Sequence, residues 1–192
     1  MPKVNREGRA QVLNPEELDE VMTLLAPKYR GVLSVCRYSA CRISEALGLT
    51  WTACLPDHIL LSKGIVKGKK KSREIPLHPR LAQELEKWKS AWGGTQGRSP
   101  NSSDYLFPSD HDEKRHITRQ AVDHALRLAC RKLGLHGVST HSFRRSALTA
   151  ASSKGVPLRH LQEISGHASL NMLARYLDVS EEQKRTAALA FG

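Results

Sequence analysis

The chain has 192 residues, enough for one domain or one domain with a small appendage, and 40% of them are hydrophobic, enough to bury a core. Lys and Arg total 30 against 19 Asp and Glu, and the net charge of +11 points to an anionic partner, most often nucleic acid. No apolar run approaches the roughly 20 residues that cross a bilayer, and the polar start MPKVNREGRAQVLNPEELDE lacks the character of a signal peptide, so a cytosolic protein is the expectation.

Residues 1–12 read as a flexible basic arm. In NPEELDEVMTLLAP, Asn14 is an N-cap, Pro15 suits the first helical position and Glu17 completes a capping box. Leu18, Val21, Met22 and Leu25 then share one apolar face, and Pro27 ends the helix. A second helix over about 28–40 turns Val32, Leu33 and Cys36 inward, and a short third one, ISEALGL, follows Arg42. The stretch HILLSKGIVKGKKKSREIPLH has short aliphatic runs broken by Gly64 and Gly68, which predicts two or three antiparallel strands with tight turns. Helix returns over about 79–91, and GGTQGRSPNSSD reads as a loop by composition. Thr118 caps a helix to about 133, another runs from about 141 to Gly155, and Pro157 opens the next, to about 165. A short helix covers 169–177, and Ser180 with Gln183 forms a last capping box before KRTAALAFG. The fold class is therefore mainly α with a small antiparallel β-sheet, an α+β arrangement. Cys36, Cys41, Cys54 and Cys130 match neither a zinc spacing nor a CxxC motif, so buried, reduced thiols are expected.

The segment STHSFRRSAL, residues 139–148, gathers His141, Arg144 and Arg145 at the start of a helix. Helical spacing puts these three and Leu148 on one side and Phe143, Ala147, Ala150 and Ala151 on the other, so the reading is an inward Phe/Ala face and an outward cationic one. A helix start already carries partial positive charge, and adding cations there is costly unless an anion sits on it. Phosphate is the natural anion, because a guanidinium grips two oxygens at once. Other basic boxes accompany it. SACRISEAL places Arg42 between two helices with Glu45 three residues on, VKGKKKSR places Lys67, Lys69, Lys70, Lys71 and Arg73 around a hairpin turn, and SGHASLNMLARYL places His167 after a glycine with Tyr176 nine residues later.

Taken in order, CRISE, VKGKKKSR, HSFR, SGH and ARY resemble the boxes of the tyrosine recombinase family, the phage-integrase type, over about residues 13–190. Each box alone is weak, but five in order are specific. The resemblance implies the catalytic-domain architecture of that family over residues 13–192 and site-specific cutting and rejoining of DNA through a 3′-phosphotyrosine. It implies Tyr176 as nucleophile, Arg42 and Arg144 as the clamp on the phosphate, His141 as the base, His167 as a phosphate or proton partner, and Glu45 as support for Arg42. The general acid is a hairpin lysine, Lys67 or alternatively Lys69, because the hairpin holds one residue more than the family pattern. Lys69, Lys70, Lys71, Arg73 and Arg145 are the expected DNA contacts. Arg145 stands where the family more often has His.

The chemistry needs no metal and no cofactor. Fixed guanidiniums replace the charge a metal would bring to the transition state, and transesterification conserves the number of bonds. About 13 residues precede the first helix, where most members carry a separate helical domain that closes around DNA, so a helper DNA-binding protein is one expectation. Double-stranded DNA, a tetramer of this chain on it, and a cytoplasmic, nucleoid-associated location complete the reading. The C-terminal EEQKRTAALAFG resembles the family segment that docks on a neighbouring protomer, with packing inside its own chain as the alternative. Two rival readings are a non-catalytic DNA-binding regulator that retains the fold and a type IB topoisomerase-like relaxing enzyme. A metal-dependent nuclease is disfavoured because His, Asp and Glu do not cluster.

Overall fold

The computed structural model describes residues 10–66, 71–177, 179 and 181–191. Helix α1 (Pro15–Thr23) begins with the expected capping box: Asn14 Oδ1 accepts from the Glu17 amide at 2.8 Å, and a Glu17 carboxylate oxygen accepts from the Asn14 amide at 2.8 Å. Its buried face is Leu18, Val21 and Met22. Pro27 both stops that helix and opens α2 (Pro27–Ser39), since a proline at N1 has no amide to leave unpaired. Helix α2 is buried along most of its length and lies so close to its neighbours that a Cβ at Gly31 would come within 2.8 Å of the Phe107 ring. It ends at Ala40, whose φ of 49° is left-handed, and the chain then turns directly into α3 (Ile43–Leu47).

Strands β1 (His58–Leu61) and β2 (Arg73–Pro76) pair antiparallel, with Ile59 opposite Ile75 and Leu61 opposite Arg73. These are the two strands among the described residues. The candidate lysines Lys67, Lys69 and Lys70 lie outside the described residues, as do Ser180 and residues 1–9 of the expected arm.

Helix α4 (Pro79–Gln96) runs past the point where composition suggests a loop, carrying Gly93 and Gly94 in helical form. The reason is tertiary. Trp88 and Trp92 are each 1% exposed, and the Trp88 indole donates to the Leu106 carbonyl at 2.6 Å, so packing of this last half outweighs glycine's poor propensity.

Helix α5 (Arg119–Lys132) is capped by Thr118, and α6 (Thr140–Ser153), α7 (Leu158–Ser165), α8 (Leu170–Ala174) and α9 (Glu181–Leu189) follow. Helix α6 corrects the sequence reading. Arg144, Arg145 and Leu148 are 2%, 3% and 1% exposed, whereas Ala150 lies at the surface. The N-terminal half of α6 is packed by α2, α5 and α7, so it is covered nearly all round and has no outward cationic face beyond His141.

Most apolar side chains form one core around α2. Ala40, Leu148, Leu161 and Leu173 form a second, smaller cluster, against which Tyr176 and Leu177 pack.

Candidate active site

Arg42 takes the N-cap position of α3 in extended backbone conformation. One turn on, Glu45 folds back: its Oε2 accepts from the Arg42 amide at 2.8 Å and its Oε1 from Arg42 Nη1 at 3.0 Å. Glu45 is 0% exposed, and these hydrogen bonds satisfy its buried oxygens. Arg42 keeps 23% of its side chain exposed, so its guanidinium borders solvent while Glu45 holds it from below.

Arg144 reaches the same place from α6. Nη1 donates to the Ala40 carbonyl at 2.5 Å, and Nη2 donates to the Ser165 carbonyl at 2.9 Å. The left-handed turn at Ala40 thus aims a carbonyl at one arginine and, two residues later, places the other. Burial, then repulsion by Arg42, pulls the Arg144 guanidinium down to about 10, still charged at neutral pH. Its Nε is buried and has no protein hydrogen-bond partner.

His167 follows Gly166, which closes α7 in left-handed conformation at φ 66°. Arg144 Nη2 lies 3.1 Å from His167 Nε2, and Ser165 Oγ lies 2.7 Å from Nδ1. Since a guanidinium only donates, Nε2 is the acceptor and the ring proton sits on Nδ1, donated to Ser165 Oγ. Ser165 Oγ in turn donates to the Leu161 carbonyl at 2.5 Å. Burial, with Arg144, Arg42 and Arg73 adding repulsion, pulls the imidazole down to about 3, so it is neutral. The ring is therefore an acceptor that fixes Arg144.

Tyr176 comes just after α8, whose N-cap Ser169 accepts from the Met172 amide at 3.2 Å. Its ring centroid is 4.7 Å from that of His167, and the Arg144 guanidinium carbon is 5.6 Å from it. Arg42, Glu45, Arg144, His167 and Tyr176 thus converge from α3, α6, the end of α7 and the end of α8.

Other candidates stand differently. His141 is exposed at the first turn of α6, and Lys71 is exposed beside the hairpin. Arg145 is buried and donates to the Ala10 carbonyl at 2.7 Å and the Tyr176 carbonyl at 3.3 Å. Arg73 joins the site itself, donating from Nη2 to Glu45 Oε2 at 3.0 Å. Sequence reading passed over Ser165, Gln162 and Ala40. Gln162 Nε2 donates to the His167 carbonyl at 3.0 Å. Only Ser165 had a local signal, as the serine of SGH.

Among the described residues no group of His, Cys, Asp and Glu is arranged to hold a metal ion, and no helix is long and apolar enough to cross a membrane. What converges is two guanidiniums, a third behind them, one buried carboxylate, a neutral imidazole and a phenol. Such a set can bind an oxyanion and present a hydroxyl nucleophile to it.

The model of the Phage integrase family matches residues 11–183. Tyrosine recombinase XerD of Brucella suis is 29% identical over 161 residues, covering 82% of this chain and 50% of that one. A putative integrase/recombinase, y4qK, of Sinorhizobium fredii is 30% identical over 171 residues, covering 88% and 52%. The chain spans about half the length of these curated relatives. Among solved structures, XerA recombinase superposes with a TM-score of 0.75 at 18% identity, covering 99% of this chain and 66% of that one. XerH site-specific recombinase, in a post-cleavage complex on a palindromic difH substrate, gives a TM-score of 0.74 at 25% identity, covering 92% and 51%.

Proposed function

Because the chain belongs to the phage integrase family, we propose that it carries the catalytic machinery of a site-specific DNA recombinase. In this reading residues 13–192 are the catalytic domain, and the protein works on DNA in the cytoplasm, at the nucleoid. The Tyr176 phenol attacks a backbone phosphorus, a P–O bond to tyrosine forms and the P–O5′ bond breaks, leaving a 3′-phosphotyrosine and a free 5′-hydroxyl. The phenolic proton passes to a base, for which His141 is the candidate. The departing 5′-oxygen takes a proton from Lys67 or Lys69. Arg42 and Arg144 bind the non-bridging oxygens as their charge grows. His167, neutral and already accepting from Arg144, orients that clamp. The 5′-hydroxyl of a partner strand then attacks the phosphotyrosine and releases Tyr176.

The observation that carries this reading is the packing of the Tyr176 ring, tilted at 56° against His167 with centroids 4.7 Å apart and with the Arg144 guanidinium carbon 5.6 Å from its centre. An isolated core tyrosine needs no such neighbours. XerH is seen on its difH substrate, and double-stranded DNA is the substrate class proposed here too, with the exposed Lys71 among the backbone contacts. The net charge of +11 supports salt-dependent backbone affinity. A tetramer on DNA and a helper DNA-binding protein complete the proposal.

The test is covalent trapping on nicked duplexes in EDTA, resolved on a denaturing gel beside Tyr176→Phe. A protein–DNA band in the wild type alone supports the reading. DNA bound in a native gel with no covalent band favours a regulator that retains the fold.

A further inference from the structure

The sequence reading places Arg73 among the DNA contacts of the basic hairpin, yet its side chain is turned inward and only 12% exposed. Two independent observations define its place. The first is the carboxylate of Glu45. Oε1 takes the Arg42 guanidinium at 3.0 Å, while Oε2 takes the Arg42 amide at 2.8 Å and Arg73 Nη2 at 3.0 Å. Arg73 therefore shares with Arg42 the one buried acid of the site. The second is Gly166. A Cβ built there would fall 1.2 Å from Arg73 Nη1 and 2.4 Å from Cζ, so the guanidinium occupies the space that any other residue's side chain would need. The Gly166 carbonyl lies 3.4 Å from Arg42 Nη2, and the next residue is His167. Arg73 is thus wedged between the acid that holds Arg42 and the turn that carries His167.

We propose that Arg73 is a positioning residue for strand cleavage, not a DNA contact: through Glu45 it fixes Arg42, and by filling the space under Gly166 it fixes the turn that sets His167 against Arg144 and Tyr176. The proposal rests on the strand-cleavage reading above. A planar guanidinium does both jobs at once, pairing with the acid at one nitrogen and packing flat beneath the turn. A lysine can pair with Glu45 but cannot fill the same space.

The test separates affinity from rate. Wild type, Arg73→Gln, Arg73→Lys and Lys71→Gln are titrated with a nicked duplex, and single-turnover cleavage is then measured at saturating DNA. Expected for Arg73→Gln is an affinity within about threefold of wild type and a cleavage rate down by roughly 10- to 100-fold, the range a misplaced catalytic group costs. Arg73→Lys restores part of the rate. Lys71→Gln, by contrast, loses affinity and flattens the salt dependence. Reduced affinity in Arg73→Gln with full cleavage at saturation overturns the proposal, and so does wild-type cleavage by Arg73→Lys. The NMR resonances of the His167 imidazole test the positioning without DNA: they move in Arg73→Gln, and unmoved resonances count against it. Absence of wild-type cleavage sinks the strand-cleavage reading instead, and leaves the resonance test of the wedge in force. If Arg73→Gln does not fold, Arg73→Lys carries the test, because it keeps a cation on Glu45.

Discussion

Arg145 donates from Nε to the main-chain carbonyl of Tyr176 at 3.3 Å, and from Nη1 to the Ala10 carbonyl at 2.7 Å. Thr149 Oγ1 approaches the same Tyr176 carbonyl at 3.3 Å. The residue after the HSFR box therefore braces the backbone of the tyrosine segment and ties it to the start of the described chain. Arg145→Ala strips a buried cation from two carbonyls and is expected to cost about 1–3 kcal/mol, read from urea denaturation. The yield of covalent complex should fall with it, while DNA affinity changes little. A stable Arg145→Ala protein with weakened, less salt-sensitive DNA binding would instead mark Arg145 as a phosphate contact.

Arg42 and Arg144 should separate by stability although the proposed clamp uses both. Arg144 is 2% exposed and holds the Ala40 and Ser165 carbonyls and His167, so Arg144→Ala leaves three buried acceptors unpaired. Arg42 is partly exposed, and in Arg42→Ala the buried Glu45 retains Arg73. Each substitution is expected to slow cleavage by about 10²- to 10³-fold, by analogy with the loss of one oxyanion donor. Thermal denaturation should show the larger loss for Arg144→Ala. Equal destabilisation of the two would mean that Arg73 does not sustain Glu45 alone.

Local spacing made much of this site readable from the sequence. The Asn14–Glu17 box, the pairing of Arg42 with Glu45, and the nine residues from His167 to Tyr176 are all short-range relations, and the structure keeps each pair together. What sequence could not supply were relations set by packing. Helix α4 continues through Gly93 and Gly94 because Trp88 and Trp92 are anchored in the core. The cationic side of α6 is buried because three other helices cover it. Arg73 looked like one more hairpin cation, yet its partners are Glu45, 28 residues away, and a glycine on another helix. A periodicity argument sees one element at a time, and these features depend on several.

The cysteines should resist modification in the folded protein. Burial pushes Cys54 up to about 12 and Cys130 up to about 11. Cys36 is raised by its hydrogen bond to Cys41 and by burial, and Cys41 is lowered by the same bond but is 0% exposed. A thiol at 12 carries roughly a thousandfold less thiolate than a free one, so Cys54 reacts slowly despite its partial exposure. Iodoacetamide at pH 8 is expected to label the native chain slowly and all four cysteines quickly in denaturant, read by mass spectrometry. Fast native labelling of Cys41 would show that the segment leading into Arg42 opens in solution.

His167 gives the protein a predictable sensitivity to acid. Its folded value of about 3 lies below the ordinary histidine value of 6.5 because burial, Arg144, Arg42 and Arg73 all oppose a second proton. The sign follows from proton counting. Between about pH 6.5 and pH 3 the unfolded chain binds a proton that the folded chain refuses, so stability falls as pH falls through this window and is fully present above it. At full slope one such group contributes about 1.4 kcal/mol per pH unit. Urea denaturation of the wild type and His167→Gln at pH 7.5, 6 and 5 should therefore show a steeper acid loss in the wild type. Parallel curves would mean that the imidazole takes up its proton in the folded state, which the Arg144 bond to Nε2 forbids. The same bond bears on catalysis. A neutral ring locked as an acceptor cannot supply an acid limb near pH 6 to 7 in the cleavage rate, so any limb measured there should survive in the residual activity of His167→Gln.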